Sequence, residues 1–248
     1  MELYIIRHGQ STNNALADDH QAKRVYDPTL TETGKRQAQA LADFVSGGIS
    51  RDPWVNPATG YSQHDGARGI EFTRLYCSAM YRAMQTAQPV AAALGINPEI
   101  WIDIHEHGGI YLEEAGKITG YPGKNRAEIT AEFPNYVIPD GVTDAGWYDP
   151  KLGQESLAAM SGRAIKIAAE LRRRGQEDHD NRERIAIITH GTFIDALLKA
   201  LLNQLPSRAM FYLHYNTAIT RIDFASDRDR LLIRYMNRVD HLPPELIT

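Results

Sequence analysis

Short β-branched runs alternate along this chain with stretches of helical periodicity, and no other feature restricts its folding as much. The runs occupy residues 3–6, 72–77, 100–104, 185–189, 218–224 and 231–235. Between them apolar residues return every three to four positions. Thr31 is placed to cap a helix reaching about Val45, with Ala38, Leu41 and Val45 on one face. A second helix is predicted over 80–94, kinked or interrupted at Pro89, which lacks an N–H and crowds the preceding turn. Leu157, Met160, Ala164, Ile167 and Leu171 make a third stripe. Arg172, Arg173 and Arg174 then supply a cationic C-terminus, with Gly175 as the stop. Residues 193–202 form a further apolar helix.

Strands alternating with helices imply a sheet covered on both faces. The predicted fold is α/β: a three-layer sandwich with a mostly parallel, mixed six-stranded sheet flanked by helices. Only the polar turn 226–229 separates the last two runs, which predicts an antiparallel hairpin. The 248 residues are expected to form a single domain, since a chain of this length buries roughly 70–75% of its unfolded surface. Two insertions interrupt the pattern. Residues 47–71 are rich in Gly, Pro, Asn and Asp, and 108–153 mix glycines with Tyr111, Tyr121, Tyr136, Trp147 and Tyr148. Long loops in compact domains are often lids, so the second segment is a candidate lid, its aromatics either a substrate wall or its own core.

The net charge of −4 argues against a general nucleic-acid binder. It leaves room for a small anionic substrate, because a few local arginines outweigh a weak global field. No stretch approaches the ~20 apolar residues of a membrane span. The N-terminal apolar run is too short for a signal peptide and is broken by Arg7. The single cysteine, Cys77, excludes an internal disulfide and suits a reducing compartment, so a cytoplasmic location is expected.

Four chemically suggestive groups each follow a predicted strand: Arg7-His8-Gly9, the segment from Ser78 to Arg82, Glu106, and His190-Gly191. In open parallel sheets ligands bind outside the carboxyl ends of strands, so these groups can converge on one crevice. Their types fit one reaction. A phosphoryl group in transfer spreads negative charge over three equatorial oxygens and needs fixed cationic donors, here Arg7 and Arg82. A neutral imidazole is an in-line nucleophile when its other nitrogen is held as a donor. Gly9 permits close backbone approach beside it. A carboxylic acid such as Glu106 can protonate the leaving oxygen and afterwards activate water.

These segments resemble the histidine phosphatase superfamily, in its phosphoglycerate-mutase-like branch. I-I-R-H-G-Q-S-T-N-N is similar to the family's nucleophile segment, which implies His8 as nucleophile and Arg7, Ser11 and Asn14 as phosphate contacts. S-A-M-Y-R-A-M-Q-T-A resembles the segment carrying a second phosphate-binding arginine, Arg82, and I-I-T-H-G-T the second-histidine motif, with His190 as a phosphate-pocket donor and Gly191 and Thr192 as further substrate or phosphate contacts. D-P-T-L-T-E-T-G-K-R-Q-A-Q-A, G-Q-E-S-L and N-T-A-I-T-R-I extend the likeness over nearly the whole chain. The resemblance implies a small phosphate ester as substrate and no cofactor.

The departures favour a hydrolase over a mutase. Mutases of this kind carry Glu-Arg-His-Tyr-Gly at the acid segment, where this chain reads Glu106-His107-Gly108-Gly109, and Gln10 stands where they usually carry Glu. From Asp103 to Glu155 there are ten acidic and four basic residues, a balance that repels a polyanion. Glu113 and Glu114 lie near enough to compete with Glu106 for the acid role. Ser11 and Thr12 are also placed to cap a short helix, and Thr192 to cap the helix after it. His105 and His107, at i and i+2, point the same way on a strand, but without a further ligand at diagnostic spacing no metal site is read there. A phosphoglycerate-type mutase, an inactive phospho-ligand-binding module and a metal hydrolase remain the competing readings.

Overall fold

A computed structural model of the chain describes residues 1–16, 24–47, 54–55, 62–63, 70, 72–180, 183–225 and 230–248. Its central sheet has six strands in the order β10-β9-β1-β8-β4-β5. These are β1 (Glu2–Arg7), β4 (Arg74–Cys77), β5 (Glu99–Ile100), β8 (Arg184–Thr189), β9 (Ile219–Ala225) and β10 (Arg230–Arg238). β1, β8, β4 and β5 run parallel, and β9 and β10 are antiparallel to their neighbours. The predicted mixed sheet and terminal hairpin are both present; turn 226–229 lies outside the described residues.

Side chains alternate across the sheet with the two-residue period of strands. Tyr4, Ile6, Ala186, Ile188, Leu75 and Cys77 pack under α1 (Glu32–Gly47) and α2 (Tyr81–Leu94). Leu3, Ile5, Ile185 and Ile187 face α4 (Leu157–Glu177) and α5 (Gly191–Leu201). Both strand faces are thus buried, which explains why the runs read as continuously apolar. Thr31 caps α1 as expected, its Oγ1 accepting from the Gly34 N–H at 3.0 Å.

Three local expectations are corrected. The run 100–104 is not one strand: β5 stops at Ile100 and a 3₁₀ turn spans Ile102–Ile104. The carbonyls a longer strand would offer are taken by side chains, Asp103 O by Arg163 Nη1 and Ile104 O by Thr189 Oγ1, each at 2.6 Å. Pro89 does not break α2, which continues to Gly95, a left-handed C-cap; buried Met84, Ala87, Val90 and Ala91 hold the helix together on both sides of it. Gly175 is not a stop. α4 passes through it to Glu177, and a Cβ there would lie 2.7 Å from Phe224 Cβ, so the glycine lets the helix approach β9.

Most of the 47–71 insertion lies outside the described residues; those described are Gly47, which ends α1, the short antiparallel pair β2 (Trp54–Val55) and β3 (Ser62–Gln63), and Ile70, which is buried in the core. The 108–153 segment contains the hairpin β6 (Tyr111–Glu114) and β7 (Lys117–Gly120) and helix α3 (Arg126–Glu132). Its aromatics divide between the two expected roles. Tyr136, Trp147 and Tyr148 are buried in the core on the α1–α2 side, where the Tyr136 hydroxyl donates to Met84 O at 2.7 Å. Tyr111 lines the cavity described next, and Tyr121 stacks on Tyr26, another wall residue, at 4.2 Å between centroids. Among the described residues no helix is long and apolar enough to cross a membrane.

Candidate active site

β1, β8 and β4 are parallel neighbours, so their carboxyl ends lie on one edge of the sheet. His8, His190 and Ser78 are the residues that follow them. The His8 N–H donates to Thr189 O at 2.9 Å and the Ser78 N–H to Ile188 O at 3.0 Å, extending the ladders by one bond into the site. A cavity of about 400 Å³ opens there, and Arg7, His8, Ser11, Asn14, Arg82 and Glu106 are among its walls. His190 is fully buried beside it, its ring centroid 5.0 Å from that of His8.

His8 is 2% exposed. Its Nδ1 lies 2.6 Å from Gly9 O, and a carbonyl can only accept, so Nδ1 carries the proton. Nε2 accepts from Arg82 Nε at 3.0 Å and holds the lone pair. Burial, then the charges of Arg82 and Arg7, push His8 well below the ordinary imidazole range, against the bond to Gly9. His190 is pushed the same way, first by burial and then by Arg82. Both rings are neutral at pH 7.

Among the described residues, Arg7 donates from Nη1 to His214 O at 2.6 Å, while its buried Nε has no partner. His190 Nε2 meets Ser78 Oγ at 2.8 Å, and its buried Nδ1 also has no partner among the described residues. The Met80 N–H already donates to Ser78 Oγ at 3.2 Å, so sending the hydroxyl proton to Nε2 satisfies that cluster and leaves Nδ1–H as a donor. Arg82 also faces Asp27, Nη1 to Oδ1 at 3.9 Å. Burial pushes Asp27 up to about 6, opposed by Arg82 and by the Tyr81 N–H it accepts. Orphaned buried donors are rare in folded proteins. Two beside a lone-pair imidazole describe an anion cradle.

Glu106 caps α5 from outside the helix. Its Oε1 accepts from the N–H groups of His107 at 2.8 Å and Phe193 at 3.0 Å, and its Oε2 from Thr192 N–H at 3.2 Å. It is close enough to Arg7 and Arg82 to favour their charged forms. The capping role anticipated for Thr192 therefore falls to Glu106. Thr192 lines the adjoining groove between α4 and α5, and neither it nor Gly191 is among the cavity walls.

Ser11 and Asn14 do line the cavity but also bind each other, Ser11 Oγ donating to Asn14 Oδ1 at 2.9 Å. Residues 12–15 make a turn rather than the expected short helix. The close approach that Gly9 permits is to α1, since a Cβ there would lie 2.6 Å from Gly34 O. Gln10 points into structure too, its Oε1 accepting from Thr31 Oγ1 at 2.7 Å. His105 is buried, with Nδ1 2.7 Å from Ile102 O, whereas His107 lines the cavity. Among the described residues no group of three or more His, Cys, Asp or Glu is placed to hold a metal ion.

Several wall and support residues escape sequence reasoning. Asn13, Arg24 and Tyr26 line the cavity, and the Asn216 amide donates to His8 O at 2.8 Å, fixing the backbone at His8. Asn13, Asp27 and Asn216 sit inside segments that carry the family likeness, but as unassigned positions; Arg24 has no periodic or motif signal.

The histidine phosphatase superfamily (branch 1) matches residues 3–56 and 64–237 of the chain. A broad-specificity phosphatase of Saccharomyces cerevisiae is 21% identical, over 98% of this chain and 87% of its own. A phosphoglycerate mutase-like protein of Arabidopsis thaliana is 26% identical, over 97% and 86%. Among solved structures, a phosphoserine phosphatase of Entamoeba histolytica, in complex with 3-phosphoglyceric acid, shares the fold at a TM-score of 0.57, with 19% identity over 98% of this chain and 99% of that one. A mycobacterial glucosyl-3-phosphoglycerate phosphatase superposes at 0.55, with 21% identity over 96% and 99%. With the fold, the strand-end cradle and this match in agreement, the chain belongs to the histidine phosphatase superfamily, branch 1.

Proposed function

We propose that the chain is a phosphatase hydrolysing a small phosphomonoester through a covalent phosphohistidine on His8. The observation that carries this reading is the hydrogen-bond polarity of His8: Nδ1–H is committed to Gly9 O, so Nε2 presents its lone pair to the cavity beside Arg82. As the Arg82 Nε–H turns from Nε2 to a phosphate oxygen, Nε2 attacks phosphorus, and the bond to the leaving oxygen breaks. Arg7, Arg82 and His190 take the equatorial oxygens, and the orphaned Arg7 Nε and His190 Nδ1 supply donors that need no rearrangement. As Nε2 becomes bonded to phosphorus the ring gains positive charge, which the Gly9 carbonyl stabilises.

Glu106 protonates the leaving alkoxide and then takes a proton from the water that attacks phosphorus, breaking the P–N bond and releasing inorganic phosphate. Oε1 is already engaged by two backbone donors and Oε2 by one, so proton traffic is assigned to Oε2. Arg7, Arg82, His8, Ser11, Asn14 and Glu106 are the site residues in contact with substrate; His190 completes the phosphate cradle, and Gly191 and Thr192 act through the start of α5.

Hydrolysis is preferred to mutase transfer on the acidic balance of the 103–155 segment and on the phosphatase names among the relatives. A panel of phosphate esters run on wild type and His8→Ala tests the reading. Phosphate release by wild type and its loss in His8→Ala is expected. If 3-phosphoglycerate with a bisphosphate primer gives 2-phosphoglycerate faster than free phosphate, the mutase reading replaces it.

A further inference from the structure

Three arginines line the cavity, and they are not equivalent. Arg7 is tied to His214 O, and Arg82 to His8 Nε2 and Asp27. Arg24 is exposed and, among the described residues, makes no hydrogen bond and no ion pair. Its field nevertheless reaches the phosphate end, where it disfavours the charge on Arg82.

The segment that carries Arg24 is built rather than loose. Asn13 clamps the next residue through both its backbone groups: Oδ1 accepts from Val25 N–H at 3.1 Å and Nδ2 donates to Val25 O at 2.8 Å. Tyr26 is stacked on Tyr121 with the rings 7° from parallel. Asp27 accepts from the Tyr81 N–H at 3.1 Å, and Gln85 Oε1 accepts from both Thr29 Oγ1 and the Leu30 N–H at 2.9 Å. A guanidinium held at a cavity wall with no internal acceptor is preorganised for an anion that arrives with the ligand.

On the reading that His8, Arg7 and Arg82 bind the transferred phosphate, we infer that Arg24 is a specificity-determining residue that binds a carboxylate on the leaving alcohol. The remaining wall limits that charge. Glu113 lines the same cavity with no ion pair among the described residues, and Glu106 lies within it, so one extra negative group is matched where a second phosphate is opposed. The adaptation is local and leaves the acidic balance of the lid unchanged.

A matched pair of probes tests this. 3-Phosphoglycerate and glycerol 3-phosphate share a carbon skeleton and differ by a carboxylate against a hydroxymethyl group. A charge-assisted contact of this kind corresponds to about tenfold to a hundredfold. Wild type should therefore favour 3-phosphoglycerate in kcat/KM by about tenfold or more, through KM. Arg24→Gln should bring the ratio of the two close to one, Arg24→Lys should restore part of it, and Asn13→Ala should lower it by releasing the clamp. No preference in wild type, or a preference that survives in Arg24→Gln, overturns the inference. Calorimetry on His8→Ala measures binding of both probes without turnover. If His8→Ala still hydrolyses esters, the covalent mechanism falls while the carboxylate contact is judged on these affinities; equal affinities with and without Arg24 overturn the contact.

Discussion

A methyl group added at Gly34 tests how the first turn of α1 positions His8, the proposed nucleophile. Gly34 packs against the backbone just after His8-Gly9: its added Cβ would sit 2.1 Å from Gln10 O and 3.0 Å from Gln10 C and N. The atoms it meets are backbone, so no side chain can swing away, and relief requires roughly an ångström of movement in the 9–10 segment or in α1. That carbonyl is also the acceptor for the Thr31 N–H at 2.9 Å, so the movement disturbs the helix cap as well. Overpacking of this kind costs about 1–3 kcal/mol. Replacing Gly by Ala inside a helix returns up to about 1 kcal/mol. Gly34→Ala should then be less stable by about 1–2 kcal/mol in urea unfolding. Displacing His8 by as much as this should lower kcat/KM by up to about a hundredfold. Gly162→Ala, in the interior of α4 where an added Cβ meets nothing within 4 Å, is the control. It should be neutral or stabilising by up to about 1 kcal/mol, with activity on p-nitrophenyl phosphate intact. A Gly34→Ala protein as stable and as active as wild type would refute the tight seating of the His8–Gln10 segment on α1.

Other outcomes follow from the same geometry. Burial holds His105 and His241 at about 4, below the ordinary 6.5 of an unfolded histidine. Their folded values are depressed, so the stability they contribute is present above 6.5 and lost as pH falls from there towards 4; for His105 alone the loss between pH 7 and 5 is roughly 2 kcal/mol. Urea unfolding at the two pH values should show it, and His105→Gln should shrink the difference by that amount; an unchanged difference counts against a buried neutral His105. Asp27, raised by burial to about 6, contributes in the opposite sense, its part being lost as pH rises through that value. Glu106→Gln should reduce kcat far more on alkyl phosphates than on p-nitrophenyl phosphate, whose leaving group needs no proton. An equal loss on both would remove Glu106 from the acid role and point to Glu113.

Much of the fold is legible because both faces of the sheet are covered. Leu3–Ile6 and Ile185–Ile188 are apolar without interruption, and only a doubly buried strand asks for that. The candidate site is legible for a related reason: Arg7-His8, Ser78 and His190 follow strands that turn out to be parallel neighbours, so position in sequence maps directly onto position at one sheet edge. Legibility fails where side chains override local pattern. Ile100–Ile104 alternates like a strand, but Arg163 and Thr189 claim its carbonyls from distant parts of the chain. Gly175 looks like a terminator until the proximity of Phe224 supplies its reason. Thr192 looks like a cap until Glu106, 86 positions away in sequence, takes the N–H groups at the start of α5. Arg24 has no periodicity around it, and its place depends on two hydrogen bonds from Asn13 that no spacing rule encodes.

The central claim is that phosphorus is bonded to His8 Nε2 during turnover, and the direct measurement is a rapid acid-free quench of enzyme with radiolabelled phosphate ester. Intact-protein mass and peptide mapping then locate the label. Wild type should carry one acid-labile, base-stable phosphoryl group on the peptide holding His8, formed and discharged at rates consistent with kcat, and His8→Ala should carry none. Full turnover with no such group at any time point, or with label on another residue, contradicts the account.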